Sequence, residues 1–287
     1  MNGIVIVDKP QDWTSQDVTA RLRRVFGTRR IGHGGTLDPM ATGVLPVFVG
    51  RATRGVEFFE HAEKTYETVL RLGLTTDTED ITGTVLKWQD VSVTEGQVLS
   101  ALERFRGQIM QVPPMYSALK VDGRKLCDLA RKGAQVEREP RPITIHELTF
   151  LGMEGADVHL RVRCSKGTYI RTLCKDIGDA LGCGGCMAAL RRICAGEYTI
   201  DEAVPLGKLL EAEHPEEYLR PVDTMFAQYP AVKLTPNQEK RCRCGNSFTC
   251  PLPDGRYRAY SRDGEFLMLA EVASGTMKTV KSFFEVP

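Results

Sequence analysis

The sequence lacks an apolar run near the length of about 20 residues that a membrane-spanning helix needs. Its first residues, MNGIVIVDKP, reach an acid and a proline before the apolar core of a signal peptide can develop. Membrane insertion and export are therefore not expected, and we expect a cytoplasmic protein. Repeats of about 20 to 50 residues and low-complexity segments are also missing, so a repeat architecture gains no support.

An excess of charge of one sign is missing as well. The chain has 38 lysines and arginines against 37 aspartates and glutamates, a formal net charge of +1. Overall charge therefore does not indicate a nucleic-acid partner. The segment 21–30 (RLRRVFGTRR) is nevertheless basic without an acid, and such a patch can hold phosphates while the molecule stays near neutral. The same segment is equally compatible with a solvated helix face.

Size and cysteine content limit the class of protein further. The 287 residues, 42% of them hydrophobic, can bury a full core in one large domain or two unequal ones. Nine scattered cysteines, an odd number, are typical of cytosolic thiols and not of a disulfide framework. Cys183 and Cys186 form a C-x-x-C pair, but zinc needs further ligands and Cys242, Cys244 and Cys250 are irregularly spaced. We therefore expect no metal site.

Hydrophobic periodicity predicts most elements of the first 228 residues. The predicted strands are 3–7, 44–49, 64–72, 142–151 and 157–164, the last two as an antiparallel hairpin. One predicted helix spans 52–61, and others begin after Thr14 or Ser15, after Thr94, and near Thr168 behind a strand that ends at Gly167. Consecutive prolines predict an irregular segment over 111–117.

The hydrophobic pattern of the sequence changes after Phe226. Alternating runs at 256–260, 265–272 and 279–284 are separated by turns that contain proline and glycine, among them Asp263-Gly264. This pattern predicts a small all-β domain from about Tyr229 onward, behind a larger domain of residues 1–228.

The segment 32–43 (GHGGTLDPMATG) is the most unusual in the chain. It lacks the Lys-Ser/Thr ending of a P-loop and the glycine spacing of a dinucleotide site. Asp38 precedes a proline, which predicts an extended residue on a stiff loop, and the nearby glycines let that loop approach a ligand closely. Taken alone, these residues favour an ordinary Asx-type turn over a functional acid.

A second segment, 164–178 (CSKGTYIRTLCKDIG), places Arg171 in the first turns of a predicted helix. Helix N-termini attract anions, and a guanidinium there can pair with a carboxylate or a phosphate through two hydrogen bonds. An arginine paired with a surface carboxylate is the more common case, so this segment alone does not decide the function.

Five motifs follow one another in an order that resembles the TruB family of pseudouridine synthases. They are Lys9-Pro10, the His33–Leu45 segment with LDPxATG, Lys64-Thr-Tyr66, Val112–Lys120 (VPPMYSALK) and Ser165–Arg171 (SKGTYIR). The resemblance implies an α+β pseudouridine synthase fold, with a central mixed, mostly antiparallel sheet flanked by helices. It also implies a catalytic domain over 1–228, an RNA-clasping insertion over about 112–140 and a small β-rich PUA-like RNA-binding domain over 229–287.

The resemblance implies roles for the matching residues. Asp38 corresponds to the catalytic aspartate, Tyr66 to the aromatic residue that stacks on the target base and takes its C5 proton, and Arg171 to the partner of the aspartate. The implied substrate-binding residues are His33, which enters the T loop of tRNA, and the pocket-shaping Lys9, Pro10, Tyr169 and Leu190. The implied enzyme isomerises a uridine of the tRNA T stem-loop, at position 55, without a cofactor, and acts as a monomer without an obligatory protein partner.

Other interpretations stay open from the sequence. A binding-only or guide-RNA-dependent relative would keep the basic segment and the C-terminal domain but would not need Asp38, Tyr66 and Arg171 together. A zinc hydrolase would need an HExxH motif or a second C-x-x-C pair, and neither is present. The chemical route also stays open, because Asp38 can attack C1′ as a nucleophile or remove the C2′ proton. The insertion resembles that of stand-alone bacterial enzymes, with basic residues Lys120, Arg124, Lys125, Arg131 and Lys132.

Overall fold

A computed structural model describes residues 1–117, 119–121, 123–134 and 136–285, apart from the side chains of Lys120, Val121 and Lys125. In chain order the strands are β1 (Gly3–Lys9), β2 (Ile31–His33), β3 (Thr42–Val49), β4 (Lys64–Leu72), β5 (Leu74–Thr76), β6 (Val85–Trp88), β7 (Gly107–Gln111), β8 (Lys120–Val121), β9 (Arg124–Lys125), β10 (Arg141–Glu154), β11 (Asp157–Cys164), β12 (Gly185–Ala195), β13 (Tyr198–Thr199), β14 (Val204–Pro205), β15 (Ala231–Lys233), β16 (Phe248–Thr249), β17 (Gly255–Tyr260), β18 (Phe266–Ala273) and β19 (Thr276–Ser282). The α-helices are α1 (Ser15–Val25), α2 (Val56–Phe59), α3 (Glu95–Leu102), α4 (Leu126–Ala130), α5 (Ile170–Ala180), α6 (Leu206–Glu211) and α7 (Pro236–Arg243). Short 3-10 helices cover Gly50–Gly55, Glu103–Phe105, Ile200–Glu202, Pro215–Tyr218 and Val222–Phe226.

Some predicted features fall outside this description. The side chains of Lys120 and Lys125, two of the basic residues predicted for the insertion, are among them, as are Ala118 of the VPPMYSALK motif and the last two residues of the predicted C-terminal domain. The charge of the insertion is therefore described at Arg124, Arg131 and Lys132, all three exposed.

A large mixed sheet forms the body of the molecule. Its strand order is β14-β1-β3-β12-β4-β11-β10-β7, with β2 paired to β3 and β13 paired to β12. The β1–β14 and β3–β12 pairs are parallel and the other pairs are antiparallel. Helices α1, α3, α5 and α6 pack against its core cluster through residues such as Val18, Leu102 and Leu173. The expected α+β fold with a mostly antiparallel sheet is thus confirmed.

Local sequence signals explain several of these elements. Residues of β4 alternate between buried and half-buried, as the period of two in its sequence predicts, and this puts Tyr66 on the buried face. Thr14 caps α1 through a reciprocal capping box with Asp17, and Thr94 caps α3 in the same way with Gln97. These caps satisfy backbone N–H groups that would otherwise lack partners, so both helices begin where predicted.

Other predicted boundaries are wrong. The helix expected over 52–61 is a 3-10 turn over Gly50–Gly55 followed by the single-turn helix α2. The strand expected to end at Gly167 ends at Cys164, and α5 begins at Ile170 instead of near Thr168. Gly167 has a φ of +80°, a left-handed conformation that belongs to a turn and not to a strand.

Strand β12 was not predicted at all, although it lies between β3 and β4 in the sheet. Its sequence, GCMAALRRICA, does not alternate because the strand is bulged between Met187 and Ala189 and again between Arg192 and Cys194. A β-bulge inserts an extra residue and shifts the period of two, which hides such a strand from pattern analysis.

A second sheet, in the order β15-β17-β18-β19-β16, forms from the C-terminal residues. The all-β expectation is wrong here because α7 packs beside it, starting at the capping residue Thr235. The third predicted run also starts three residues earlier, at Thr276. Phe266 and Phe283 of this region share a core cluster with Phe226 and with residues of β1 and β3. The domain boundary near Tyr229 stays a prediction.

The helices of the described ranges are short and amphipathic. None of those within 1–117, 119–121, 123–134 and 136–285 combines the length and apolarity that a transmembrane helix requires.

Candidate active site

A cleft of about 350 Å³ opens on the main sheet between the 34–38 loop, β4, β12 and the start of α5. Most residues in its lining are polar or charged, but most of the lining surface is apolar, with contributions from Leu37, Ile170 and Leu190. The charged and phenolic residues that line it are Asp38, Glu60, Lys64, Tyr66, Tyr116, Lys166, Tyr169, Arg171 and Arg192. The cleft can therefore hold a small group of nucleotide-base size, with apolar surface for its faces and polar groups for its edges.

The loop that carries Asp38 is held by buried hydrogen bonds. The Ser15 hydroxyl accepts from the Leu37 N–H at 2.8 Å and donates to the Leu37 carbonyl at 3.1 Å. Lys9, which is fully buried, donates from Nζ to the carbonyls of Pro10, Trp13 and Pro39 at 2.8, 2.6 and 3.2 Å. These contacts fix the backbone on both sides of Asp38, so its carboxylate has a defined position at the cleft.

Arg171 meets Asp38 across the cleft. Its Nε lies 2.9 Å from Oδ2 of Asp38, and its Nη2 donates to Oδ1 at 3.4 Å. The same guanidinium donates to the carbonyls of Thr78 at 3.2 Å and Tyr116 at 2.9 Å, and its Nη1 lies 3.8 Å from Oδ2 of Asp80. The arginine is thus held between two carboxylates, and its orientation toward Asp38 is set by its contacts with Thr78, Tyr116 and Asp80.

Opposing effects act on the pKa of the Asp38 carboxyl. Burial raises the pKa of the Asp38 carboxyl above its ordinary value, Arg171 opposes that rise, and Asp80 adds to it. About a third of the Asp38 side-chain surface is still exposed, through the mouth of the cleft. A ligand can therefore reach the carboxylate directly.

Tyr66 lies on the buried face of β4 and lines the same cleft. Only 9% of its surface is exposed. Burial raises the pKa of its phenol, and the positive charge of Arg192 partly opposes this rise. The residue thus forms part of the cleft wall while most of its surface is covered by neighbouring groups.

The structure gathers five of the eight predicted site residues at the cleft and leaves three outside its lining. The five are Asp38, Tyr66, Tyr169, Arg171 and Leu190. The backbone of Tyr169 is fixed by Gln111, whose amide accepts from the Tyr169 N–H at 2.8 Å and donates to its carbonyl at 3.1 Å. This pair of bonds ties the start of α5 to the end of β7.

Of the other three, Lys9 lies beneath the 38–39 loop, as described above. Pro10 is exposed, and His33 is half-buried at the end of β2. Burial lowers the pKa of His33, and Arg192 lowers it further. His33 Nδ1 is buried without a hydrogen-bond partner among the described residues.

Sequence analysis assigned no site role to Asp80, Arg192 or Lys64, although Lys64 belongs to the Lys64-Thr-Tyr66 motif. Asp80 is 5% exposed, and its Oδ1 accepts from the hydroxyls of Thr78 and Thr82 at 2.9 and 2.6 Å. The Thr78-x-Asp-x-Thr82 spacing is a turn signal that could have drawn attention to it. Burial lowers the pKa of Lys64 to about 8. Arg192 had no signal of its own because it lies in the bulged strand β12.

Within the described part of the chain, no group of three or more His, Cys, Asp or Glu side chains could hold a metal ion. Cys183 and Cys186 are buried free thiols. Cys242 and Cys250 are also buried, whereas Cys244 is exposed.

The chain is similar to a known protein family over most of its length. The profile of the TruB family pseudouridylate synthase N-terminal domain matches residues 23–170, and that of the tRNA pseudouridylate synthase B C-terminal domain matches residues 171–227. The tRNA pseudouridine synthase B of Burkholderia mallei is 43% identical over 287 residues, covering 96% of this chain and 95% of that protein. The protein of the same name from Clostridium kluyveri is 40% identical over 289 residues, covering 99% of this chain and 100% of that protein.

Among solved structures, a chain of a Cbf5-Nop10-Gar1 complex is similar over 98% of this chain and 85% of its own length. The two share 25% sequence identity, with a TM-score of 0.74. This likeness extends beyond the profile matches, which end at residue 227, into the C-terminal sheet.

Proposed function

The chain belongs to the TruB family of pseudouridylate synthases and is therefore an isomerase, and we propose that its substrate is the uridine at position 55 in the T loop of tRNA. The curated relatives named tRNA pseudouridine synthase B, which match nearly the full chain, support a tRNA substrate. We further propose that the enzyme acts as a cytoplasmic monomer without an obligatory protein partner.

The observation that carries the proposal is the Asp38–Arg171 pair, with contacts of 2.9 and 3.4 Å, in a cleft that Tyr66 also lines. Pseudouridine formation breaks the N1–C1′ bond, turns the uracil and joins C5 to C1′. A carboxylate near C1′ serves this chemistry either as a nucleophile or as a base for the C2′ proton. Both routes need an ionised carboxylate in a site that excludes water, and Arg171 favours the ionised form of Asp38.

The target uridine has to leave its stack in the RNA before it can enter the cleft. Unstacking costs a few kcal/mol, and stacking on an aromatic side chain returns about 1–3 kcal/mol per base. We assign the stacking to Tyr66, whose phenolate oxygen then takes the C5 proton, and base positioning to Tyr169 and Leu190. Because the reaction is an internal rearrangement, no cofactor is proposed.

Recognition of the RNA is assigned to surfaces outside the cleft. Arg21, Arg24, Arg29 and Arg30 are exposed on and after α1 and suit contacts with stem phosphates. His33 is assigned to the T loop, and Lys9 and Pro10 to the support of the catalytic loop. We propose that the insertion over about 112–140 closes over the T arm and that the C-terminal sheet is a PUA-like RNA-binding domain.

The test is to incubate an isolated T-arm stem-loop with the purified protein and to map pseudouridine by sequence position. We expect modification at position 55 by the wild type and none by Asp38→Asn, because the amide keeps the shape of the carboxylate and loses its charge. Thermal unfolding and RNA affinity of Asp38→Asn should stay near wild type. Substantial turnover by this variant would overturn the assignment of Asp38, and unmodified but bound RNA would favour a binding-only relative.

A further inference from the structure

Arg192 is the largest of the fully buried side chains in the described part of the chain, with 1% of its surface exposed. Its Nε donates to the Val44 carbonyl at 2.7 Å and its Nη2 donates to the Gly35 carbonyl at 3.1 Å. Within the described residues it forms no ion pair, whereas its neighbour Arg191 contacts Asp8 at 2.9 Å. Burying a charge costs several kcal/mol unless it is compensated. Such a cation at a catalytic cleft requires an explanation.

The position of Arg192 relative to Tyr66 supplies one. The two residues are directly opposite on β12 and β4, so their side chains leave the same face of the sheet, and both line the cleft. A Cβ atom built on Gly35 would lie 3.7 Å from Nη1 of Arg192, so the guanidinium packs against the 34–38 loop at the edge of the cleft. The charge is therefore close to the cleft and not isolated in the core.

Other ionisable groups face Tyr66 from each neighbouring element. Cys164 does so from β11, Asp38 from the catalytic loop, and Arg192 from β12. Lys64 lies two residues earlier on the same face of β4. Burial raises the pKa of Tyr66 most strongly, Cys164 and Asp38 also raise it, and Arg192 lowers it. A cation at this point offsets part of the cost of placing negative charge on the phenol.

We infer that Arg192 is a positioning residue for Tyr66, whose phenolate oxygen it supports while that oxygen accepts the C5 proton of the rearranged uracil. This inference rests on the role proposed above for Tyr66. In the step, the C5–H bond breaks and its electron pair forms the C5–C6 double bond. The N1–C6 double bond returns its pair to N1, which takes a proton from water. Tyr66 becomes neutral and passes its proton to the resulting hydroxide.

An arginine suits this role better than the nearby lysine. The pKa of Lys64 is lowered to about 8, so Lys64 loses its charge in the alkaline range in which a phenol ionises. A guanidinium stays charged throughout that range. Arg192 therefore stays positively charged over the whole range at this end of the cleft. The charge of Arg171, in contrast, is already paired with Asp38 and Asp80.

The test measures single-turnover release of tritium from C5 of the target uridine in a T-arm stem-loop, from acidic to alkaline pH. We expect Arg192→Met to be slowed by about tenfold or more at neutral pH, since each unit of rise in a pKa reduces the ionised fraction tenfold. The defect should shrink as the pH rises, because the phenol then ionises without help. Arg191→Met is the matched control and should follow the wild type at every pH.

Two further variants separate charge from structure. A fluorinated tyrosine at position 66, which is a more acidic phenol, should restore part of the rate of Arg192→Met. Arg192→Lys should match the wild type at neutral pH and fall behind as the lysine loses its proton, and it provides the test if Arg192→Met does not fold. An equal loss at every pH without rescue would overturn the inference.

The outcomes also distinguish this inference from the function on which it rests. If the wild type forms no pseudouridine, or if Tyr66→Phe works at the wild-type rate, the proposed role of Tyr66 fails and this inference fails with it. If Tyr66→Phe is slow while Arg192→Met shows a pH-independent loss, the proposed function stands and only the inference about Arg192 is overturned.

Discussion

The region of the main sheet and the C-terminal region differ in how many charged side chains they bury. The buried charged side chains of the described residues all belong to the first 228: they are Lys9, Lys64, Asp80, Arg171 and Arg192. The C-terminal region from about residue 229 buries apolar side chains together with Ser261 and keeps charges in partly exposed pairs such as Arg243 with Glu239 of α7. Burying a charge costs free energy of folding. The buried charges around the main sheet are therefore not explained by stability alone. The buried charges are thus concentrated in the region that holds the cleft.

A second contrast lies inside the cleft. Arg171 is held between the carboxylates of Asp38 and Asp80, whereas Arg192 donates to the carbonyls of Val44 and Gly35 and pairs with no carboxylate among the described residues. One arginine therefore keeps a carboxylate ionised and in place, and the other leaves positive charge available beside Tyr66. Each variant described next removes one of the groups on which these contrasts depend.

The largest effect is expected from Arg171→Met. It leaves Asp80 buried without its cation, and removal of one member of a buried pair costs about 3–5 kcal/mol in the free energy of unfolding. Pseudouridine formation should fall below detection, because Asp38 loses the group that favours its ionised form. Urea unfolding and modification assays check both effects.

Arg243→Met in the C-terminal region is the matched control for that experiment. Arg243 pairs with Glu239 and Glu265 at a partly exposed position, so its loss should cost at most about 1 kcal/mol and leave turnover intact. Equal destabilisation by both variants would contradict the contrast between the two sheets.

Tyr66→Phe should reduce turnover by about a hundredfold or more, since it removes the phenolate oxygen proposed as the general base, while RNA affinity stays near wild type. Tyr66→Ala should also lose about 1–3 kcal/mol of RNA binding, because stacking is lost. Tyr260→Phe removes a hydroxyl that donates to Asp223 at 2.6 Å in the C-terminal region and should leave turnover unchanged. A normal rate for Tyr66→Phe would remove the hydroxyl from the mechanism and leave only the stacking.

Asp80→Asn should shift the pH profile of turnover. Activity needs ionised Asp38, so it is present above the pKa of Asp38 and is lost as the pH falls through it. Burial and Asp80 raise that pKa above the ordinary 3.8, so the loss begins at a higher pH than for an exposed aspartate. Removing the Asp80 charge should move the acid limb to lower pH. An acid limb that stays in place or moves upward would show that Asp80 acts mainly by orienting Arg171.

The smallest effect on turnover is expected from Arg256→Ala. Arg256 is exposed on β17, directly opposite Glu271 of β18. If the C-terminal sheet contacts phosphates, this variant should weaken RNA binding and flatten the log–log salt slope by about one unit, without changing the modified position. Glu271→Gln is the control and should not weaken binding. An unchanged slope for Arg256→Ala would place the RNA surface elsewhere on this sheet or on another element.

Local sequence signals were sufficient for part of the fold. The period of two in 64–72 predicted β4 and the buried side of Tyr66, and the capping residues Thr14 and Thr94 predicted where two helices begin. Such signals depend only on neighbouring residues, so they can be recognised without the tertiary structure. The family motifs then indicated Asp38, Tyr66 and Arg171. Without these motifs, the local sequence favoured an ordinary turn at Asp38 and a surface ion pair at Arg171.

The tertiary structure alone decided the rest. Strand β12 was hidden because its bulges break the alternation of its side chains, and the charge of Arg192 has meaning only where β12 pairs with β4. Asp80 and Asp38 are separated by 42 positions, yet both meet Arg171. Burial, ion pairing and pKa shifts are properties of groups brought together from distant parts of the chain. No local sequence pattern determines burial, ion pairing or pKa shifts. At this site these properties decide which charges are paired with an opposite charge and which stay unpaired beside the cleft.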